Sequence, residues 1–228
     1  MNPFARNVDG TVDQKHPGRD VRIILVATLW LTVIVSSLMC IVGYSNTPGR
    51  TGISPVHWPG DSQIMLDPHR PTMIMFAHPH CSCTQASIDE LDQLLAACPG
   101  QLNAQVWFVK LDGTPDDWAD TALWRKASAI LGVRVHRDDG GVEARRFQAE
   151  TSGQILFYEP DGQLLFHGGI TFSRGHAGDN PGLSVLEKLV NHQAQSQAPA
   201  QTPVFGCPLF TAIPDKTPGK DVLCQCKP

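Results

Sequence analysis

Basic residues are too few in this sequence to form a strongly positive surface. Lysine and arginine total 18 against 22 aspartates and glutamates, which gives a formal net charge of -4 and a pI near 6.1. Proteins that hold nucleic acid concentrate positive charge on one face, so we expect no nucleic-acid partner. No internal repeat is present, and the 42% of apolar residues are enough for the core of one domain of ordinary size.

Cysteine is plentiful by comparison. In a reducing cytosol, a set of seven thiols would indicate metal binding or catalysis. Outside the cytosol, disulfides become equally reasonable, so the compartment has to be inferred first. The seven are Cys40, Cys81, Cys83, Cys98, Cys207, Cys224 and Cys226.

A membrane anchor is predicted near the N-terminus. The run Ile23 to Tyr44 carries no charge, and as a helix it would be about 33 Å long, enough to cross a bilayer. The apolar region of a cleaved signal peptide is shorter, roughly 7–15 residues. Only Arg50 follows the run within the next twenty residues, whereas four basic residues precede it: Arg6, Lys15, Arg19 and Arg22. This bias predicts a cytoplasmic N-terminus, with the main domain on the periplasmic or extracytoplasmic side of the inner membrane.

The chain is therefore divided into five parts. Residues 1–22 form a cytoplasmic tail and 23–44 the transmembrane anchor. Residues 45–66, with three prolines and several glycines, are expected to form an extended linker. Residues 67–192 form the folded domain. Residues 193–228 form a Gln/Ala/Ser/Pro-rich linker and a cysteine-containing tail.

Within the domain, the pattern predicts the order β-α-β-α-β-β-α. Apolar residues at helical spacing follow the first strand, and Pro160-Asp161-Gly162 marks a hairpin turn. This order implies an α/β fold with a central mixed sheet flanked by helices. The predicted elements are a strand at Met73–Ala77, a helix carrying Ile88 to Cys98, a strand at Ala104–Leu111, a helix capped by Thr114 and ending at Gly132, hairpin strands at Gln154–Phe157 and Gln163–Phe166, and a helix at Leu183–His192.

The order of elements, with cysteines where a strand meets a helix, resembles the thioredoxin fold. From about Met73 to Leu189 the sequence is most similar to membrane-tethered extracytoplasmic thioredoxins of the TlpA/ResA type, including the spacing of Asp138-Asp139-Gly140, Ala144, Phe147 and Asp161-Gly162. The stretches F-A-H-P-H-C-S-C-T and G-G-I-T-F-S-R-G-H resemble a RedB-like group. The resemblance implies a thioredoxin-like fold and redox activity at the cysteines.

Two departures from the thioredoxin pattern touch the active site. The family's C-x-x-C is here a C-x-C, Cys81-Ser82-Cys83. Counting from Phe147 and Gly162 puts Gly153 where the family has a cis-proline. The type of redox chemistry therefore stays open.

The two cysteines lie at the predicted start of a helix, where free N–H groups stabilise a thiolate. We expect Cys81, as the first and more exposed thiol, to attack and Cys83 to resolve. His78 and His80 are candidates for positive charge or proton transfer. A disulfide across one residue has restricted geometry, which favours easy reduction.

The loop 171–180 should face the thiols, because the antiparallel partner of the hairpin returns to the same edge of the sheet. Arg174 and His176 in this loop are candidates for anion binding, acid–base chemistry or metal ligation. Cys98 is expected to pack in the core. Three roles stay open for the three C-terminal cysteines: a disulfide with one thiol left over, metal ligation, or relay of electrons to Cys81 and Cys83.

Two functions follow from these residues. The first is thiol–disulfide oxidoreduction on extracytoplasmic protein thiols or disulfides, for example during cofactor or cytochrome assembly. This reaction would need no bound cofactor. The alternative is a copper-binding metallochaperone resembling the Sco group, with Cys81, Cys83 and possibly His176 as ligands, because two thiolates and an imidazole suit Cu(I). The cysteine spacing differs from that group's. A peroxide-reducing enzyme would need a Pro/Thr-rich active loop that is missing here.

Overall fold

The computed structural model describes residues 17–193 and 198–210. The chain divides after Gly43 into two units. The first contains all but the last two residues of one long helix, α1 (Pro17–Ser45). Its part Val21–Ser45 has a mean hydropathy of 2.4 and is long and apolar enough to cross a membrane, in agreement with the predicted span.

The second unit is built around a six-stranded sheet. Its strands are β1 (Thr72–Ala77), β2 (Asn103–Lys110), β3 (Val133–Asp139), β4 (Gln154–Tyr158), β5 (Leu164–Gly168) and β6 (Ala200–Gln201), and its helices are α2 (Thr84–Ala97), α3 (Ala122–Ser128), α4 (Val142–Arg146) and α5 (Pro181–Val190).

The strands are arranged in the order β3-β2-β1-β4-β5-β6. β1, β2 and β3 are parallel to one another, β4 is antiparallel to β1, and β4 and β5 form the predicted hairpin. The fold is thus the expected α/β arrangement with a mixed sheet. Because β4 pairs with β1 in the antiparallel direction, the carboxyl end of β1 and the start of β4 lie side by side at the same edge of the sheet.

Strand β1 is buried on both faces, which explains why its sequence is continuously apolar rather than alternating. Met73, Met75 and Ala77 face the core formed with α2, α3 and α5. Ile74 and Phe76 face a second core, formed with α4. The sheet therefore has helices on both faces, and a short turn joins the fully buried β1 to α2.

Between β2 and β4 the structure differs from the sequence prediction. The helix expected from Thr114 begins only after Thr121, whose side-chain oxygen accepts a hydrogen bond from the Trp124 N–H. The Thr114 hydroxyl instead donates to the Leu111 carbonyl in a turn. Strand β3 and helix α4 were not predicted. β3 is a half-exposed edge strand with four charged residues among its seven, so its apolar signal is weak.

Residues 45–66, expected to be an extended linker, pack against the sheet. The Leu164 N–H donates to the Val56 carbonyl and the Trp58 N–H donates to the Gly162 carbonyl, each at a distance of 2.8 Å. The side chain of Ile64 is buried. Proline and glycine made the stretch resemble a tether, but these backbone bonds and the apolar side chains make it part of the domain.

The residues after α5 also differ from the prediction. β6 pairs in parallel with β5, and Val204 and Leu209 are buried. The Thr202 hydroxyl donates to the Gly169 carbonyl over 2.8 Å. Residues 198–210 are thus a folded part of the domain. Cys224 and Cys226 lie outside the described residues.

Candidate functional site

Cys81 and Cys83 occupy the turn between β1 and α2, as predicted. The Cys81 N–H donates to the His78 carbonyl, and the Thr84 N–H donates to the Cys81 carbonyl, so two successive turns fold the chain into the helix. Cys83 is the N-cap residue of α2, and no side chain caps the helix there. The first two N–H groups of α2, on Thr84 and Gln85, donate to the Cys81 and Ser82 carbonyls, and both thiols lie at the positive end of the helix.

A third cysteine joins the pair. The Sγ atoms of Cys81, Cys83 and Cys207 all lie within 4.8 Å of one another. The Cys207 backbone N–H donates to the Cys81 Sγ at 3.3 Å, and the Cys207 carbonyl accepts from the Ser152 N–H at 2.8 Å. Among the described residues this is the one group of three or more His, Cys, Asp or Glu side chains placed closely enough to hold a metal ion.

The burial of the two site cysteines differs from the prediction. Cys81 has no exposed surface, whereas Cys83 and Cys207 are half-buried. We expected Cys81 to be the more exposed thiol because it comes first in the motif. Cys81 is buried because the chain around Cys207 lies against its sulfur. This part of the chain was predicted to be a separate tail.

The hydrogen bonds among the thiols set their proton affinities. Bonds from the Cys207 thiol, and then from the Cys83 thiol, lower the pKa of Cys81 well below its usual range, although burial opposes the change. The same bond to Cys81 raises the pKa of Cys207. For Cys83, the bond to Cys207 lowers the pKa, but the bond to Cys81 together with burial raises it more. Among the three, Cys81 is therefore the thiol that ionises first.

Two hydroxyl groups that sequence reasoning missed support this turn. The Ser152 hydroxyl accepts from the His78 N–H at 2.7 Å and lies 2.6 Å from the Thr84 hydroxyl. The Thr84 hydroxyl also bonds to Cys81 and contributes to lowering its pKa. Thr84 follows Cys83 directly, which is the one sequence signal that pointed to it. Ser152 was recognisable only as the neighbour of Gly153.

His78 and His80 lie beside the thiols but outside the sulfur cluster. The buried His78 ring accepts the His80 N–H at its Nδ1 over 3.2 Å, which shapes the turn before Cys81. The exposed His80 ring lies 4.1 Å from the Trp118 ring, centroid to centroid, and its Nε2 is 3.1 Å from the Trp118 carbonyl oxygen. The His78 ring thus holds the turn that precedes Cys81, and the His80 ring lies against Trp118.

The loop 171–180 reaches the site through Arg174. Its guanidinium donates to the Gly206 carbonyl, next to Cys207, and to the Thr47 carbonyl at 3.1 Å. Its positive charge also lowers the pKa of Cys83, although the larger effects named above outweigh it. His176 is exposed, its Nδ1 lies 2.9 Å from the Arg174 carbonyl oxygen, and it is not part of the sulfur cluster. Cys207 thus stands in the third position for which His176 was considered.

Gly153 precedes β4 and adopts a left-handed backbone with φ of 88°. Its N–H donates to the Phe76 carbonyl at 2.8 Å, and a Cβ at this position would stand 2.8 Å from the Ser87 Oγ. No cis peptide bond occurs among the described residues. Proline, which fixes φ near −65° and has no N–H, cannot occupy this backbone conformation.

No protein-family model and no curated protein matches this chain. Solved structures do resemble it. A hypothetical protein from Sinorhizobium meliloti is 15% identical with a TM-score of 0.52, covering 74% of this chain and 97% of that one. An uncharacterised protein from Geobacillus kaustophilus is 14% identical with a TM-score of 0.50, covering 74% and 94%. An exposed lipoprotein thioredoxin from Streptococcus pneumoniae is 14% identical with a TM-score of 0.41, covering 54% and 85%.

At these identities the similarity concerns the fold alone. The parallel β1-α2-β2 unit, the antiparallel β4–β5 hairpin and the closing α5 make this an α/β protein of the thioredoxin-like fold. Cysteines at the junction of β1 and α2 add a thiol site at the amino end of a helix.

Replacement of Gly153 by alanine tests whether the backbone beside the dithiol requires glycine. Gly153→Ala should destabilise the domain by about 1–2 kcal/mol for the left-handed backbone and by about 1 kcal/mol more for the contact with Ser87. Gly175→Ala is a matched control, because Gly175 has φ of 71° with nothing within 4 Å of a Cβ. The measurement is urea unfolding of the detergent-solubilised protein.

Removing the contact should recover part of the loss. Gly153→Ala combined with Ser87→Ala is expected to be more stable than Gly153→Ala alone. Equal losses for Gly153→Ala and Gly175→Ala would contradict the steric argument.

Proposed function

We propose that this protein is a membrane-anchored thiol–disulfide oxidoreductase acting through Cys81 and Cys83. The observation that carries the proposal is the arrangement of the two sulfurs, within 4.8 Å of each other at the amino end of α2, with hydrogen bonds that lower the pKa of Cys81. Reactive cysteines of this kind are thiolates near neutral pH, and the thiolate is the nucleophile.

The reaction follows from these assignments. The Cys81 thiolate attacks one sulfur of a substrate disulfide, forms a mixed disulfide and releases the other substrate sulfur as a thiolate. The Cys83 thiolate then attacks the Cys81 sulfur, which forms the Cys81–Cys83 disulfide and releases the second substrate thiol. Two electrons pass from the dithiol to the substrate, and the reverse sequence oxidises a substrate dithiol.

Access to Cys81 requires a local movement, because its side chain has no exposed surface. Cys207 and its neighbours lie over the sulfur. The bonds that this segment makes to Glu150, Ser152 and Arg174 have to break for the sulfur to be reached, which is a local opening that needs no global unfolding. We infer that substrate displaces this segment. Extracytoplasmic proteins with thiols or disulfides, including those of cofactor or cytochrome assembly, are the proposed partners.

Loss of the first cysteine should abolish activity. In a background with Cys224→Ser and Cys226→Ser, Cys81→Ser is expected to reduce insulin disulfides no faster than buffer, because the attacking thiolate is absent. Cys98→Ser is the matched control, since Cys98 is buried and outside the cluster. Unchanged insulin reduction by Cys81→Ser would refute the proposed role.

The pH profile gives a second readout of the same prediction. Because the pKa of Cys81 is lowered, its thiolate persists below the usual cysteine pKa of about 8.5. The rate of its alkylation should therefore change little between that pH and about pH 7. Burial raises the pKa of Cys98, so its alkylation should fall steeply over the same range.

We further propose that α1 is a single-pass anchor with its N-terminus in the cytoplasm. Its apolar length and the four basic residues that precede it support this orientation. Alkaline phosphatase fused after residue 66 should be active, whereas β-galactosidase fused there should not. Fusions after residue 16 should show the reverse, and the opposite pattern would place the domain in the cytoplasm.

A second candidate function is Cu(I) binding, and one observation favours it. The cluster offers three thiol sulfurs, with no histidine or carboxylate within it among the described residues. Soft sulfur donors select soft cations such as Cu(I). The ligands would be Cys81, Cys83 and Cys207, which replaces the set with His176 that the sequence indicated.

Competition with a Cu(I) chelator distinguishes the two ligand sets. In the background without Cys224 and Cys226, Cys207→Ser should weaken copper binding at least about tenfold, a loss that even an outer-sphere partner can cause. His176→Ala should bind like its parent. If His176→Ala weakens binding and Cys207→Ser does not, the three-sulfur set is wrong.

A further inference from the structure

The segment that carries Cys207 is bonded to the chain just before β4. The Leu209 N–H donates to the Glu150 carbonyl at 2.9 Å, and Thr151 and Pro208 form an antiparallel bridge. Together with the bond from Ser152 to Cys207, these contacts hold the backbone on both sides of the cysteine. The sulfur is therefore held against Cys81 by a bonded stretch of chain.

The backbone at Gly206 approaches the chain before β4 more closely than a residue with a side chain would allow. A Cβ on Gly206 would lie 2.0 Å from the Ser152 carbonyl oxygen, so only glycine lets the two backbones meet here. Arg174 binds the Gly206 carbonyl, and the Gly49 N–H donates to the Val204 carbonyl at 2.8 Å. Residues from three separate parts of the chain thus fix the position of Cys207.

The two disulfides open to Cys81 differ in their geometric constraints. A bond to Cys83 closes a ring across a single residue, Ser82, whereas disulfides require Cα atoms and torsions within narrow limits. A bond to Cys207 joins residues 126 apart in sequence and closes no small ring. The Cys83 and Cys207 sulfurs each lie within 4.8 Å of the Cys81 sulfur.

We propose that Cys207 is a third redox thiol of this centre and forms a disulfide with Cys81. The proposal rests on the oxidoreductase function above, which supplies the Cys81–Cys83 disulfide. The Cys207 thiolate attacks the Cys81 sulfur, the bond between Cys81 and Cys83 breaks, and Cys83 leaves as a thiolate that takes up a proton. One disulfide and one thiol exist before and after the step, so no external oxidant is needed.

The same attack resolves a substrate bound at Cys81. When a mixed disulfide joins Cys81 to a substrate sulfur, the Cys207 thiolate displaces the substrate as a thiolate and forms the Cys81–Cys207 disulfide. Cys207 then does what Cys83 does in the simple mechanism.

Disulfide mapping tests the proposal on the full chain in detergent. The protein is oxidised with diamide, free thiols are blocked with N-ethylmaleimide, and tryptic peptides are analysed by mass spectrometry. Cleavage gives residues 51–110, with Cys81, Cys83 and Cys98, and residues 189–216, with Cys207. We expect most molecules to contain these two peptides joined through Cys81, with the maleimide on Cys83.

Two variants separate the possible failures. In Cys207→Ser the joined peptides should disappear and Cys81 should pair with Cys83, while Cys98→Ala should behave like wild type. If wild type contains only the Cys81–Cys83 disulfide and Cys207 carries the label, the proposal for Cys207 fails and the oxidoreductase stands. If Cys81 stays labelled in every variant, the oxidoreductase itself fails.

Trapping of substrate gives an independent test. With reduced enzyme and a small aromatic disulfide, Cys83→Ser should not accumulate a mixed disulfide, because Cys207 resolves it. Cys83→Ser combined with Cys207→Ser should accumulate it at Cys81. Accumulation in Cys83→Ser equal to that of the double variant would overturn the role of Cys207.

Discussion

The site depends on the backbone and hydroxyl of Ser152. Its N–H donates to the Cys207 carbonyl, and its hydroxyl accepts from His78 and bonds to Thr84. One residue therefore links the turn before Cys81, the first turn of α2 and the segment that carries the third sulfur. Because Ser152 is completely buried, these bonds are shielded from water, and each is costly to leave unmade.

Local signals predicted much of the fold. The apolar run of β1, the helical spacing in α2 and the turn at Asp161-Gly162 each depend on neighbours in sequence, and the structure agrees with all three. β3 was missed because half of its surface is exposed and it carries little apolar pattern. Within the site, the helix terminus made Cys81 and Cys83 recognisable. The position of Cys207 depends on backbone pairing with residues more than fifty positions earlier, which no local pattern contains.

Burial of Cys81 gives the site two opposing properties. Four hydrogen-bond donors around the buried Cys81 sulfur, namely the Cys207 thiol and N–H, the Cys83 thiol and the Thr84 hydroxyl, stabilise its thiolate. In the proposed function, the same burial keeps substrates from the Cys81 sulfur until the segment around Cys207 moves. Arg174 connects this segment to residues that follow α1, since it binds both Gly206 and Thr47.

The position of Cys207 after α5 has a consequence for the order in which the site forms during synthesis. At about 5–20 residues per second, about one second or more separates synthesis of the end of α5 from that of Cys207. During that interval every residue of the strands and helices that hold Cys81 and Cys83 has been synthesised, whereas the segment that covers Cys81 has not. The three-thiol centre can therefore be completed only after the segment around Cys207 has been added to a chain that already contains the other two thiols.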